Sequence, residues 1–74
     1  MNWIDINEQL PPDEDYYIVT VTCDTWNKPR TFAMYYEITE IRKKEVRRWK
    51  WNKHVIHEDW IITHWMTLPD SATI

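Results

Sequence analysis

The sequence of 74 residues contains no glycine. A glycine-rich phosphate-binding loop and a dinucleotide-binding fingerprint are therefore excluded, because both need glycine for tight turns and close backbone approach. Turns that require positive φ must use Asn or Asp, or be replaced by type I turns and longer loops.

Cysteine occurs once, at Cys23, so no intramolecular disulfide can form and a four-cysteine zinc site is excluded. No apolar run approaches the roughly 20 residues that span a bilayer. The first five residues lack the basic start and apolar centre of a signal peptide. We therefore expect a cytoplasmic protein with no membrane association and no cofactor.

Aromatic residues are abundant, with six Trp, four Tyr and one Phe. Each buries roughly 150 to 250 Å² when enclosed, which makes a small core feasible in a chain of this length. We predict a single domain over residues 1–74, in which residues 70–74 form a loose tail after the last proline. The sequence contains no internal repeat.

The clearest strand covers residues 16–23, where Tyr17, Val19 and Val21 share one face. Turn-forming residues follow, and residues 30–38 alternate in the same way. The two runs predict an antiparallel hairpin.

The second half of the chain predicts two more strands. Residues 39–53 are ambiguous, and we favour a loop or helical turn followed by a strand in which Arg47, Trp49 and Trp51 oppose Arg48. Residues 60–66 form the last strand. If that strand is regular, His64 shares a face with Trp60, Ile62 and Met66, and it is either a hydrogen-bonded core residue or the edge of a pocket.

The front segment contains two prolines and the acidic run Asp13-Glu14-Asp15, so it cannot form a long helix, although residues 7–10 can make a single turn. Its apolar residues are expected to pack over one side of the sheet, and they are Trp3, Ile4, Ile6 and Leu10. The predicted fold is mainly β, with a small α+β fold as the alternative. It consists of a single antiparallel sheet of about four strands with the N-terminal segment packed on one face.

Charge is sorted along the chain. All nine Lys and Arg lie between Lys28 and Lys53, whereas the first 27 residues contain six acids and no base. Basic residues interleaved with Trp49 and Trp51 are typical of single-stranded nucleic-acid binding. The overall pI near 5.5 weakens that interpretation. A solvated hairpin, or one folded against the acidic front segment, is the simpler alternative.

Six Trp residues are more than a small domain easily encloses, so we expect Trp26 and either Trp49 or Trp51 to be partly exposed. Exposed Trp and Arg are the residue types most enriched in interface hot spots. This combination favours a protein partner. The predicted partner-binding residues are Trp26, Arg42, Lys43, Lys44, Arg47, Arg48, Trp49, Lys50 and Trp51.

Two other kinds of site are weaker candidates. His54, His57, His64 and Cys23 form a possible zinc set by type, but the paired cysteines of a small zinc domain are missing, so no metal site is predicted. Cys23 is also the only nucleophile candidate, and the adjacent Asp24 disfavours its thiolate. We therefore predict no catalytic residues and no enzyme activity.

The two ends of the chain carry recognisable motifs. The front contains Trp3-Ile4 and Leu10-Pro11, and the end contains Thr63-His64-Trp65-Met66 followed by Leu68-Pro69. In these motifs the chain resembles the small phage and prophage proteins grouped as domain of unknown function 551. It departs from them at Thr67, where proline is usual, in its longer and more basic segment 42–53, and in its lack of glycine.

That family has no agreed activity, so the resemblance implies a phage or prophage origin and not a reaction. It leads us to expect an accessory protein in the host cytoplasm that binds a host or phage protein, blocking a defence or regulatory factor. Nucleic acid is the alternative partner. A further possibility is that Asp13, Glu14, Asp15 and Asp24 imitate phosphates. Whether unpaired outer strands join two copies is left open.

Overall fold

The computed structural model describes residues 2–69, which form one antiparallel sheet of six strands with no helix. The strand order is β1-β6-β2-β3-β4-β5. The strands are β1 (Ile4–Asp5), β2 (Asp15–Thr22), β3 (Arg30–Ile41), β4 (Lys44–Trp51), β5 (His54–Val55) and β6 (Ile61–Thr67). The predicted β fold is confirmed, and two strands of two residues each add to the expected four. The tail predicted at 70–74 lies outside the described residues.

The alternation of side chains in β2, β3 and β6 builds one buried face. Val19 and Val21 are fully enclosed. Val19 lies on the same side of the sheet as its strand partners Phe32 in β3 and Trp65 in β6. We call this side the aromatic face, and its buried core is Tyr17, Val19, Val21, Met34, Tyr36 and Trp65. The opposite side is the open face, on which Tyr16, Ile18, Ala33, Tyr35, Glu37, Arg48 and Lys50 lie.

The loop or helical turn predicted after residue 38 is wrong. β3 continues to Ile41, and only Arg42 and Lys43 separate it from β4, which pairs back along it from Lys44 to Lys50. The basic run forms a strand in spite of its helical character, and its alternation packs Trp49 against Tyr17 and Tyr36.

Both tight turns have positive φ at their two central residues. Arg42 and Lys43 have φ of 52° and 65°, and Asn52 and Lys53 have φ of 54° and 69°. This is the geometry of type I′ turns, whose twist matches that of the flanking strands. The expectation that Asn or Asp would fill such positions is correct only at Asn52.

The last strand is not regular. The partner of β2 changes from Thr20 with His64 to Val21 with Ile62, so Thr63 is an extra residue that forms a β-bulge. His64 therefore lies on the open face, whereas Ile62 packs against the core. The expectation that these two residues share a face is wrong for this reason.

The front segment crosses the aromatic face, as predicted, and buries Pro11. A turn at its start is closed by hydrogen bonds from the amides of Glu8 and Gln9 to the carbonyl of Asp5. Ile4 and Ile6 pack against the core. Trp3 and Leu10 do not conform to the prediction, because they are 42% and 50% exposed.

Three side chains of the sheet hold alternate carbonyls of this segment. The Nε1 of Trp65 donates to the carbonyl of Gln9 at 2.8 Å, and the hydroxyl of Tyr17 donates to that of Asp13 at 2.8 Å. Between them, an Nη of Arg47 donates to the carbonyl of Pro11 at 3.1 Å. An extended proline-containing segment has no internal hydrogen bonds, so these donors satisfy carbonyls that would otherwise lack a partner.

Candidate interaction surface

The aromatic residues form two groups on the aromatic face. In the first, Tyr17 packs edge-on against Trp49 and Trp65 at centroid distances of 6.2 and 5.2 Å. Tyr36 lies 4.6 Å from Trp49. This group is central and well enclosed, so Trp49 acts mainly in the core.

The second aromatic group lies at the end of the sheet near β5. Phe32 contacts Trp51 and Trp60 at 5.1 and 5.2 Å, and Trp26 lies 5.1 Å from Trp60. The guanidinium carbon of Arg30 stands 4.4 Å from the Trp26 ring in a cation–π contact. Trp26 and Trp60 are half-buried, whereas Trp51 remains 44% exposed.

The basic residues of β4 divide between the two faces, because successive side chains of a strand point to opposite sides. Arg47 lies on the aromatic face, where its guanidinium reaches both Pro11 and the carboxylate of Glu45 at 3.2 Å. It links the basic segment to the front segment through a backbone carbonyl and not through an acidic side chain.

Arg48 and Lys50 lie on the open face, where both contact Glu37. The Nζ of Lys50 is 2.7 Å from one carboxylate oxygen, and the Nε of Arg48 is 3.2 Å from the other. The Arg48 contact lacks hydrogen-bond alignment, so it is an electrostatic contact. Hydrogen bonding and charge from Lys50, with a further contribution from Arg48, lower the pKa of Glu37.

Four cations of the basic segment remain exposed and form no ion pair within residues 2–69. They are Arg42, Lys43, Lys44 and Lys53. Three of them lie at or next to the β3–β4 turn, and Lys53 lies in the β4–β5 turn at the opposite end of β4.

The structure thus separates the nine residues predicted to bind a partner. Arg42, Lys43 and Lys44 lie together at one turn, and Trp51 is exposed at the other end of β4. The remaining five are engaged within the protein, and they are Trp26, Arg47, Arg48, Trp49 and Lys50.

Sequence reasoning missed two exposed apolar residues near the β4–β5 edge of the sheet, both on the open face. Ile41 beside the first turn is 47% exposed, and Val55 on β5 is 55% exposed. The exposure of Val55 was indicated in the sequence by its position between two histidines in a polar stretch. The exposure of Ile41 was indicated by its position next to three consecutive cations.

The open face carries a depression of about 590 Å³ at the β4–β5 end, lined by Tyr16, Ala33, Tyr35, Glu37, Lys50, Trp51, Asn52 and Lys53. Tyr16 and Tyr35 meet edge-to-face within it, with ring centroids 4.9 Å apart. The depression therefore combines aromatic surface with two amines and one carboxylate.

The acidic front residues are partly engaged in the fold. Glu14 accepts a hydrogen bond from the amide of Ile38 at 2.9 Å, which extends the β2–β3 pairing beyond the start of β2. Asp15 accepts one from the amide of Tyr16 at 2.7 Å. All four acids are exposed, but Asp13 and Asp24 lie at opposite ends of β2, so the four carboxylates do not form one continuous patch.

The metal and nucleophile candidates lie apart or are bonded to neighbours. The thiol of Cys23 lies 3.3 Å from the hydroxyl of Thr25, and His64 contacts the hydroxyl of Thr63 at 3.0 Å. The Nδ1 of His57 lies 3.5 Å from Asp59. Within residues 2–69 no three His, Cys, Asp or Glu residues are grouped as a metal site. Over the same range no helix is long and apolar enough to cross a membrane.

The motifs of the two chain ends contact one another in the fold. β1 pairs with β6 so that Ile4 faces Trp65, and the amide of Ile6 donates to the carbonyl of the bulge residue Thr63 at 3.0 Å. Trp65 in turn holds Gln9, immediately before Leu10. These motifs therefore maintain the fold.

A family model described as "Protein of unknown function (DUF551)" matches residues 2–73. No curated protein and no solved structure matches the chain. The match covers both terminal motifs and the basic segment between them. The chain therefore belongs to the DUF551 family of proteins of unknown function.

Proposed function

We propose that this protein is a non-enzymatic accessory protein of phage origin that binds a host or phage protein and thereby blocks a defence or regulatory factor in the host cytoplasm. The observation that carries this proposal is the combination of an exposed Trp51 with four exposed cations along the β4–β5 edge of the sheet. The resemblance to phage and prophage proteins supports the origin.

The physical properties of this side suit protein recognition. Partly exposed Trp supplies large buried area on binding, and cations that are not neutralised within residues 2–69 steer an acidic partner towards the surface. Ile41 and Val55 add apolar area along the same edge, on the open face. We therefore place the contact surface along β4 and its two turns, with the charge at Arg42, Lys43 and Lys44.

Single-stranded nucleic acid is a second candidate partner. The depression on the open face favours it, because Tyr16 and Tyr35 offer rings for base stacking beside Lys50 and Lys53. The carboxylate of Glu37 in the same depression, already paired with Lys50, opposes phosphate binding. For this reason we rank a protein partner first.

Affinity capture from a bacterial host lysate tests the proposal with two pairs of variants. Reversal of Arg42, Lys43 and Lys44 to Glu is expected to abolish capture, because these cations form no ion pair within residues 2–69 and their loss leaves the fold intact. Reversal of the exposed Lys28 in the β2–β3 loop, compared with reversal of Lys43 alone, is the control for a single charge and is expected to have no effect.

Trp51→Ala and Trp3→Ala form the second pair. The two indoles are 44% and 42% exposed but lie at opposite edges of the sheet. Only Trp51→Ala is expected to weaken capture. If the charge-reversed and Trp51 variants both retain every partner, the proposed surface is wrong. Saturable, salt-dependent binding of labelled single-stranded DNA or RNA would instead favour the second candidate.

A further inference from the structure

The outer edge of β4 is a second feature of the proposed contact side. In a hairpin closed by Ile41 and Lys44, alternate residues of β4 turn their backbone groups towards β3, and the residues between them turn theirs outward. Glu45, Arg47 and Trp49 are the outward residues in this register. Their backbone groups point away from the rest of the sheet.

β5 covers only the end of this edge. It pairs with Lys50 and Trp51, and the amide of Ile56 adds one bond to the carbonyl of Trp49 at 3.5 Å. Within residues 2–69 the outward amides and carbonyls of Glu45 and Arg47 have no hydrogen-bond partner. Such a row of backbone donors and acceptors is a template for an added strand.

The positive charge around this edge determines which kind of strand can pair with it. Residues 42–50 contain six cations and one acid. A second copy of the chain, paired so that Lys44 lies opposite Arg48, would also place Arg42 opposite Lys50. These like-charge pairs outnumber the one attractive kind of pair, Glu45 with Arg47, and like charges directly opposite each other destabilise a strand pair. An extended segment with acidic side chains would instead be attracted to the same positions.

We propose that the outer edge of β4 accepts an extended acidic segment of a partner protein as an additional strand. The outward backbone groups of Glu45 and Arg47 bond the added strand, and its carboxylates lie near Lys44 and the adjacent turn. This inference rests on the proposed function and specifies how that partner is recognised.

A synthetic peptide of alternating Glu and Thr is the probe, and amide hydrogen exchange followed by NMR is the measurement. The peptide is expected to protect the amides of Glu45 and Arg47 and to leave the amides of Val46 and Arg48, which face β3, unchanged. A peptide of alternating Lys and Thr, and a Glu-Thr peptide N-methylated at alternate residues, are expected to give no protection.

Two substitutions at one residue separate backbone pairing from charge. Arg47→Pro removes an outward amide that the β3–β4 pairing does not use, and proline is tolerated on edge strands. It is expected to weaken peptide binding by about tenfold or more, whereas Arg47→Ala, which loses the same guanidinium but keeps the amide, weakens it less. If the proline variant does not fold, the N-methylated peptide makes the same distinction.

Absence of protection at Glu45 and Arg47 at millimolar peptide overturns the inference, as does equal binding of the Lys-Thr peptide. Concentration-dependent protection of these amides without peptide would assign the edge to a second copy and also overturns it. A lysate partner that is lost on reversal of Arg42, Lys43 and Lys44 but retained by Arg47→Pro would overturn strand addition while leaving the proposed function intact.

Discussion

The two edges of the sheet are built in opposite ways. At one edge β1 covers β6, and the front segment continues from it across the aromatic face, where Trp65, Arg47 and Tyr17 hold three of its carbonyls. At the other edge β5 covers only the last two residues of β4. The first edge is closed by the protein's own chain, and the second is open.

The residues that resemble the family lie at the closed edge, where they contact one another. The basic segment of β4 and its two turns forms the open edge. The proposed contact surface therefore lies at the opposite edge of the sheet from these motifs. Trp65 beside the first edge is buried, whereas Trp51 and the cations Arg42, Lys43 and Lys44 at the second are exposed.

Removing one indole near each edge is expected to give the largest difference in folding stability between the two edges. Trp65 is 2% exposed and Trp51 is 44% exposed. Trp65→Ala is expected to cost about 3 to 5 kcal/mol, because it leaves a cavity and deprives Gln9 of its donor. That is a large share of the stability of a domain this small. Trp51→Ala is expected to cost about 1 kcal/mol.

Urea unfolding of both variants measures this difference. Trp65→Phe serves as a milder variant if Trp65→Ala does not fold, because it keeps an aromatic ring and loses only the hydrogen bond and part of the packing. Equal destabilisation by Trp65→Ala and Trp51→Ala would show that the two edges contribute alike to the fold.

The sequence predicts the central strands β2 and β3 better than it predicts the closed edge or the turns. Alternation in β2 and β3 is a local signal, so Tyr17, Val19 and Met34 fall on the buried face as expected. The bulge at Thr63 has no such signal, because one additional residue in a strand leaves the residue types unchanged. The hydrogen bond from Trp65 to Gln9 joins residues that are far apart in sequence.

The candidate surface was predictable in composition but not in arrangement. Clustering of Lys and Arg in residues 42–53 identifies the cationic side. Period-two alternation already places Arg47 and Arg48 on opposite faces, which argues against a single continuous patch. Their internal partners, Pro11 and Glu37, depend on strand register and could not be read from the segment itself.

Glycine at the two turns of the open edge is expected to produce a smaller effect of the opposite sign. Lys43 and Lys53 have φ of 65° and 69°, a region that costs a residue with a Cβ roughly 1 to 2 kcal/mol. Lys43→Gly and Lys53→Gly remove this cost but increase the freedom of the unfolded chain, so each is expected to stabilise the protein by about 0.5 to 1 kcal/mol.

Lys44→Gly is the matched control, because Lys44 lies in β4 next to the first turn and outside the left-handed region. It is expected to destabilise the protein by about 0.5 to 1 kcal/mol. Denaturant midpoints of the three variants measure these changes. A loss of stability in all three would mean that the turns do not carry strain.

The smallest expected effect concerns pH and the ion pairs of the open face. Contact with Lys50 lowers the pKa of Glu37 below its ordinary value of 4.5. The unfolded chain therefore binds a proton more readily than the folded one, so the contribution of this carboxylate to stability is present above pH 4.5 and disappears as the pH falls through the lowered pKa. Glu37→Gln and Lys50→Met should each flatten this pH dependence of stability, as measured by urea midpoints from pH 4.5 downwards.

Salt provides a further test of the same ion pairs. Because Glu37 is partly exposed, added salt should weaken the pH dependence in the parent protein. The difference in stability between the Trp65 and Trp51 variants should not depend on salt. A pH dependence that Glu37→Gln and Lys50→Met both retain would place its source elsewhere, and the open face would then contribute less to the fold than its ion pairs indicate.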